Sequence, residues 1–151
     1  MSELPYIDEH SCEVSAPPSV VWEALRQSLS RSLGSRRSDR IASLLGTRPA
    51  AAHGDPGAVG ASLPGFRVER AVPGRELGLA GTHRFATYEL VFNIDDLGAG
   101  RSRLRATTNA SFPGPQGRLY RALVIGSRGH VLATRRMLGA VSRQAESVAA
   151  A

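Results

Sequence analysis

From Gly117 to Glu146 the chain carries a hydrophobic period that suits one long amphipathic helix. At about 100° per residue, Arg118, Arg121, Arg128, Arg135, Arg136 and Arg143 fall on one side, and Leu119, Leu123, His130, Met137 and Val141 fall roughly opposite. The spacing therefore turns His130 inward, into the middle of an apolar face. A helix of this length that buries one face needs a broad concave surface to lie on, and a curved sheet supplies one. Gly126 and Gly129 cost helix stability relative to alanine, so they point to a kink, a close backbone approach or space beside the helix.

The residues upstream read as that sheet. Tyr6 to Ser15 is expected as a first strand, with His10, Cys12 and Val14 on one face. Ala16-Pro17-Pro18-Ser19 is a prolyl turn, and a helix begins at Val20 with Val21, Trp22, Leu25 and Leu29 at helical spacing. Gly34 is expected to end it, and Asp39 to Leu45 fits a second short helix stopped by Gly46. Arg48 to Gly65, dominated by Ala, Gly and Pro, reads as a strand plus loop; the strand pairing of 47–65 is left open.

Four further strands are expected, Phe66 to Val72, Glu76 to Gly81, Thr82 to Ile94 and Arg103 to Phe112, with turns at Pro73-Gly74 and at Asp95 to Gly100. Turns this short imply an antiparallel meander, because parallel neighbours need long crossovers. Alternation puts Arg84, Ala86, Tyr88, Leu90, Phe92 and Ile94 on one inner face and Leu104, Ala106, Thr108, Ala110 and Phe112 on the next. Arg101, Arg103, Arg105 and Asn109 point the other way. Small residues on an inner face leave room.

Length suits one domain over 1–151. The net charge of +6 comes from arginine alone, for the chain has no lysine. Those arginines are scattered and few aromatics interleave with them, which argues against nucleic acid as a partner and for a solvated basic surface. Cys12 is the one cysteine, so neither an intrachain disulfide nor a thiolate cluster can form. The acidic opening MSELPYIDEH does not suit a secretory signal, and no apolar run is long enough to span a bilayer, so a cytoplasmic protein is expected. His10, His53, His83 and His130 include no close ligand pair, and no phosphate loop or nucleophile elbow occurs. No metal and no cofactor is implied.

His130 is the leading site candidate, as a proton donor or acceptor near neutral pH. The plainer alternative is a core histidine bonded to a strand hydroxyl or carbonyl. Tyr88 and Tyr120 can present phenolic hydroxyls or only pack. Arg84 on an apolar face needs Glu76, Glu13 or a ligand carboxylate as partner, unless it reaches solvent. Ile125 and Leu132 interrupt the arginine side of the helix and leave monomer and homodimer both open.

The strand and helix start EVSAPPSVVWEAL, the strand GTHRFATYELVFNID and the closing GRLYRALVIGSRGHVLATRRML together resemble the START-like superfamily, also called SRPBCC or the polyketide cyclase/dehydrase group. The resemblance covers nearly the whole chain and implies an α+β helix-grip fold: a curved antiparallel sheet wrapped around a long C-terminal helix, with two short helices after the first strand. It also implies a cavity for a small apolar or aromatic molecule, in a carrier or in an enzyme of cyclase, aromatase or dehydratase type; for such an enzyme the residues themselves offer His130 and Tyr88. A basic interaction module without a cavity ligand is the third reading. The superfamily has no shared catalytic signature, so the catalytic residues stay unassigned. Arg84, Tyr88, Phe92, Thr108, Tyr120, Leu123, His130 and Met137 are expected to line the cavity.

Overall fold

A computed structural model describes residues 4–33, 44, 46, 52–126 and 128–151. Strand β1 (Tyr6–Val14) leads through the prolyl turn into α1 (Pro18–Leu33). Pro18 takes the first helical position, where its fixed φ suits the helix and its missing N–H costs nothing; the Pro17 carbonyl accepts from the Val20 and Val21 N–H groups. Val21, Leu25 and Leu29 are wholly buried and Trp22 nearly so, forming the apolar stripe of that helix. The second helix expected over Asp39 to Leu45, and the end at Gly34, lie outside the described residues except for Leu44.

Strands β2 (Ser62–Leu63), β3 (Phe66–Val72), β4 (Glu76–His83), β5 (Ala86–Gly98) and β6 (Arg101–Ser111) complete one six-stranded antiparallel sheet of order β1-β6-β5-β4-β3-β2. Of the doubtful 47–65 stretch, His53 bridges to Ser62, and Ser62 and Leu63 pair with Arg67 and Phe66.

Two strand boundaries differ from expectation. The β4–β5 turn falls at Arg84-Phe85 rather than after Gly81, because Thr82 and His83 still pair with Thr87 and Ala86. Asp95 and Asp96 belong to β5, opposite Arg103 and Ser102, so the next turn tightens to Ala99-Gly100. There φ is 54° at Ala99 and 70° at Gly100, and the second glycine takes the left-handed backbone without penalty.

The inner face is built in rows. Leu77, Phe92, Ala106 and His10 form one, Leu79, Leu90, Thr108 and Asp8 the next, and Gly81, Tyr88 and Ala110 a third. The outer face carries charge: Arg105 pairs with Asp95 at 2.7 Å, Arg70 with Glu89 at 2.9 Å, and Glu13 meets Arg101 and Arg103.

The expected single helix over Gly117 to Glu146 is instead α2 (Gly114–Arg121), a π-helical turn (Ala122–Gly126) and α3 (Gly129–Ala149). Arg128 interrupts it with φ at 61°, a left-handed conformation that ends one helical run before the next starts. The buried stripe of α3 is Thr134, Leu138, Val141 and Ala145, on the helix that packs with α1, β1 and β6. The break explains a correction: Leu119 and Leu123, expected to share the inward side of one straight helix, are 63% and 64% exposed.

Candidate functional site

The core divides along the strands. Around the Leu77–Phe92–Ala106 row, α1 and α3 seal the sheet, and Leu77, Leu79, Phe92 and Leu104 are wholly buried. Toward the Arg84-Phe85 turn, inward-facing His83, Tyr88 and Leu90 are only half-buried, as are Phe85, Phe112 and Tyr120 around them. At this end the inner face carries a wall of half-buried aromatic rings.

Its rings form one connected cluster. His83 lies edge-on to Tyr120 at 4.7 Å between centroids, Tyr120 stacks on Phe85 at 5.5 Å, and Tyr88 meets His83 at 5.5 Å and Phe66 at 5.2 Å. Two glycines make that packing possible. A Cβ on Gly117 would stand 2.7 Å from the Phe112 carbonyl carbon, so only glycine lets α2 approach closely enough to bring Tyr120 to the wall. A Cβ on Gly81 would stand 1.9 Å from the Gly65 carbonyl oxygen, because the Tyr88 ring and the Gly65 backbone close over that strand position.

The Tyr88 hydroxyl donates to that Gly65 carbonyl at 2.6 Å. Burial, with a smaller push from Tyr120, raises its pKa far above the ordinary phenol range. The Tyr88 ring thus joins the aromatic wall, and its proton is already committed. The Tyr120 phenol is also pushed up by burial. His83 shifts the other way: burial lowers its pKa, and its Nδ1 accepts the Phe85 N–H at 3.1 Å.

One row along, about 7 Å from the Tyr88 row, lies a polar cluster. His130 Nε2 sits 3.1 Å from the Thr108 hydroxyl and 3.3 Å from Asp8 Oδ1, while His10 Nε2 sits 3.1 Å from Asp8 Oδ2. The Thr134 hydroxyl donates to the His130 carbonyl at 2.9 Å, one turn along α3. The side chains of His130, Asp8 and His10 are 21%, 21% and 15% exposed.

Of the residues singled out from the sequence, Tyr88 and Thr108 are on the inner face of the sheet, His130 meets Thr108 from α3, Tyr120 belongs to the aromatic wall, Met137 packs against the core and Phe92 is wholly buried in it. The strand-hydroxyl bond expected of a core histidine is present, to Thr108. Arg84 reaches solvent, as the plainer alternative had it, but from the hairpin turn and not from the inner face of a strand. Its suggested partners are engaged elsewhere, Glu76 with Arg70 and Glu13 with Arg101 and Arg103. Leu123 stands out in solvent on the π-helical turn.

Asp8, His83 and Phe85 were not foreseen. Asp8 had a readable signal, being two residues before His10 on the same strand parity. His83 and Phe85 depended on where the hairpin turns. Elsewhere, an open cleft of about 290 Å³ lies between α1 and α3, lined by Ser28, Arg31, Ala140, Arg143 and Gln144. It has a mixed polar and apolar lining and is separate from the aromatic wall.

Sheet, grip and terminal helix define the START-like helix-grip fold. Solved structures sharing it include truncated norcoclaurine synthase from Thalictrum flavum, 13% identical with a TM-score of 0.59 over 95% of this chain and 96% of that one. The Zhui aromatase/cyclase from Streptomyces sp. R1128 is 18% identical, with a TM-score of 0.55 over 95% of this chain and 94% of that one. A conserved protein from Geobacillus kaustophilus is 14% identical, with a TM-score of 0.52 over 94% and 93%. At these identities the likeness is one of fold. No protein-family model matches the chain, and no curated protein matches it significantly in sequence. Among the described residues, no helix is long and apolar enough to cross a membrane.

Proposed function

We propose that residues 1–151 act as one START-like ligand-binding domain in the cytoplasm, and that a small apolar or aromatic molecule binds against the inner face at the Arg84-Phe85 end. The carrying observation is the half-buried wall of His83, Phe85, Tyr88, Leu90 and Tyr120 beside the His130–Asp8 pair. Apolar surface left part-exposed in a concavity, with few convergent polar groups, is the usual make-up of a small-molecule site. Leu90, Tyr88 and Tyr120 supply contact area, and His130 orients the molecule.

A thermal-shift panel of fatty acids, flavonoids and polyketide-like aromatics tests the reading. A ligand that binds only the folded chain adds about 2.7 kcal/mol of stability at a hundred times its Kd, and Tyr120→Ala should shrink the shift. A flat response across all three classes refutes it.

The second reading is an enzyme of cyclase, aromatase or dehydratase type, and the observation favouring it is the carboxylate beside His130. Here His130 moves the proton; Tyr88 contributes packing, since its hydroxyl is held by Gly65. His130→Gln should then abolish turnover of a bound aromatic polyketide and preserve its binding. Unchanged turnover rejects this second reading.

A further inference from the structure

We infer that Asp8 sets the protonation form of His130 and thereby selects a ligand that donates a hydroxyl proton, such as a phenol. The inference rests on the binding site proposed above. Two imidazoles share one carboxylate, each on its own oxygen: His130 Nε2 at Oδ1 and His10 Nε2 at Oδ2. An ionised carboxylate only accepts hydrogen bonds. A bare ring nitrogen facing it would set lone pair against lone pair, so both Nε2 atoms carry hydrogen, and the Thr108 hydroxyl, 3.1 Å from His130 Nε2, accepts from that same N–H.

The second ring nitrogen follows from the first. A neutral imidazole holds one N–H, and Asp8 places it on Nε2, so Nδ1 is left as the acceptor. Among the described residues, no hydrogen bond is made to Nδ1 of His130. The ring is part-exposed, and its partner Thr108 lies in the row of Leu90, next to the row of Tyr88. A ligand that reaches this ring therefore meets an acceptor. That arrangement favours an aromatic hydroxyl over a ligand presenting only carbonyl or carboxylate oxygens. Asp8 is a positioning residue, and His10 holds its other oxygen.

Substitution of Asp8 by asparagine tests the first half without any ligand. In Asp8→Asn the carboxamide offers one oxygen and one NH2 group, so it cannot accept from both rings. One imidazole must face a donor and move its proton to Nδ1. Long-range ¹H–¹⁵N correlation spectra of histidine-labelled protein at pH 8 should show both rings in the Nε2–H form in the wild type and one ring converted in Asp8→Asn. An Nδ1–H His130 in the wild type, or two unchanged rings in the variant, overturns the role of Asp8.

Fluorescence titration with 2-naphthol, 2-naphthoate and naphthalene tests the second half. The wild type should bind 2-naphthol at least about tenfold more tightly than the other two, and His130→Ala should erase that margin while naphthalene binding persists. Equal affinities in the wild type overturn the ligand class and leave the binding site standing. Failure of all three probes to bind refutes the binding-site reading and the ligand class with it, and the spectra still decide the role of Asp8.

Discussion

Gly81→Ala is the sharpest probe of how the aromatic wall is held. The new Cβ would lie 1.9 Å from the Gly65 carbonyl oxygen and 2.7 and 2.9 Å from two Tyr88 ring carbons. None of these is a tolerable contact, and the nearest obstacle is backbone, so both the Gly65 turn and the Tyr88 ring must move. The 2.6 Å bond from the Tyr88 hydroxyl to Gly65 then breaks. Leaving that carbonyl unpaired costs about 1–3 kcal/mol, and overpacking a formed contact costs about another 1–3 kcal/mol. A loss of about 4 kcal/mol corresponds to a fall in Tm of roughly 10 to 15 °C for a chain of this size.

Urea melts followed by circular dichroism, with Tyr88→Phe as the second arm of a double-mutant cycle, isolate the cause. Tyr88→Phe should cost about 1–3 kcal/mol alone and close to nothing on the Gly81→Ala background. A Gly81→Ala protein within about 2 °C of the wild type, or two additive costs, would refute the close packing.

Ser102→Ala should destabilise the chain by about 1–3 kcal/mol in the same melts, because the wholly buried Ser102 hydroxyl donates to the Ala16 carbonyl at 2.7 Å; a change within error removes that bond from the account. His83 gives a signed pH effect. Burial lowers its pKa below the ordinary value of 6.5, so the unfolded chain takes up its proton first as pH falls. This contribution is fully present above the unfolded value and is lost as pH drops through 6.5 toward the folded one. His83→Phe should narrow the gap between urea midpoints at pH 7.5 and 5.5, and an unchanged gap contradicts the assignment. The Cys12 thiol is pushed up by burial and then by Glu146, so iodoacetamide at pH 7.5 should alkylate it at least about tenfold more slowly than a free cysteine peptide; equal rates would show the thiol to be open.

Much of the architecture could be read from local rules. Alternation in Ala86 to Ile94 and in Leu104 to Ala110 orients the sheet correctly, since a strand has only two faces and one is apolar. The start of α1 follows from Pro17-Pro18 and the spacing of Val21, Leu25 and Leu29. The inward turn of His130 is legible because α3 keeps its period from Gly129 onward. Where the reading failed, competing local preferences were nearly balanced. Thr82 and His83 suit a strand whether it ends or begins there, so the hairpin turns later than the local pattern suggests and Arg84 falls in the turn. Through Gly126 and Gly129 the hydrophobic period runs on, but the backbone does not, and Leu123 lost its place over the sheet.

The pattern of the chain therefore determined the elements, their antiparallel order and which faces are apolar, because these are properties of neighbouring residues. Tertiary structure alone decided that Asp8 and His130, 122 positions apart, share a bond. It also decided that the Tyr88 hydroxyl is spent on Gly65 and that His83 and Tyr120 meet edge-on in one wall. Such pairings depend on strand register and on how closely two backbones approach at Gly81 and Gly117. Register is set by the sheet as a whole, and no local preference of residues so far apart in the chain encodes it.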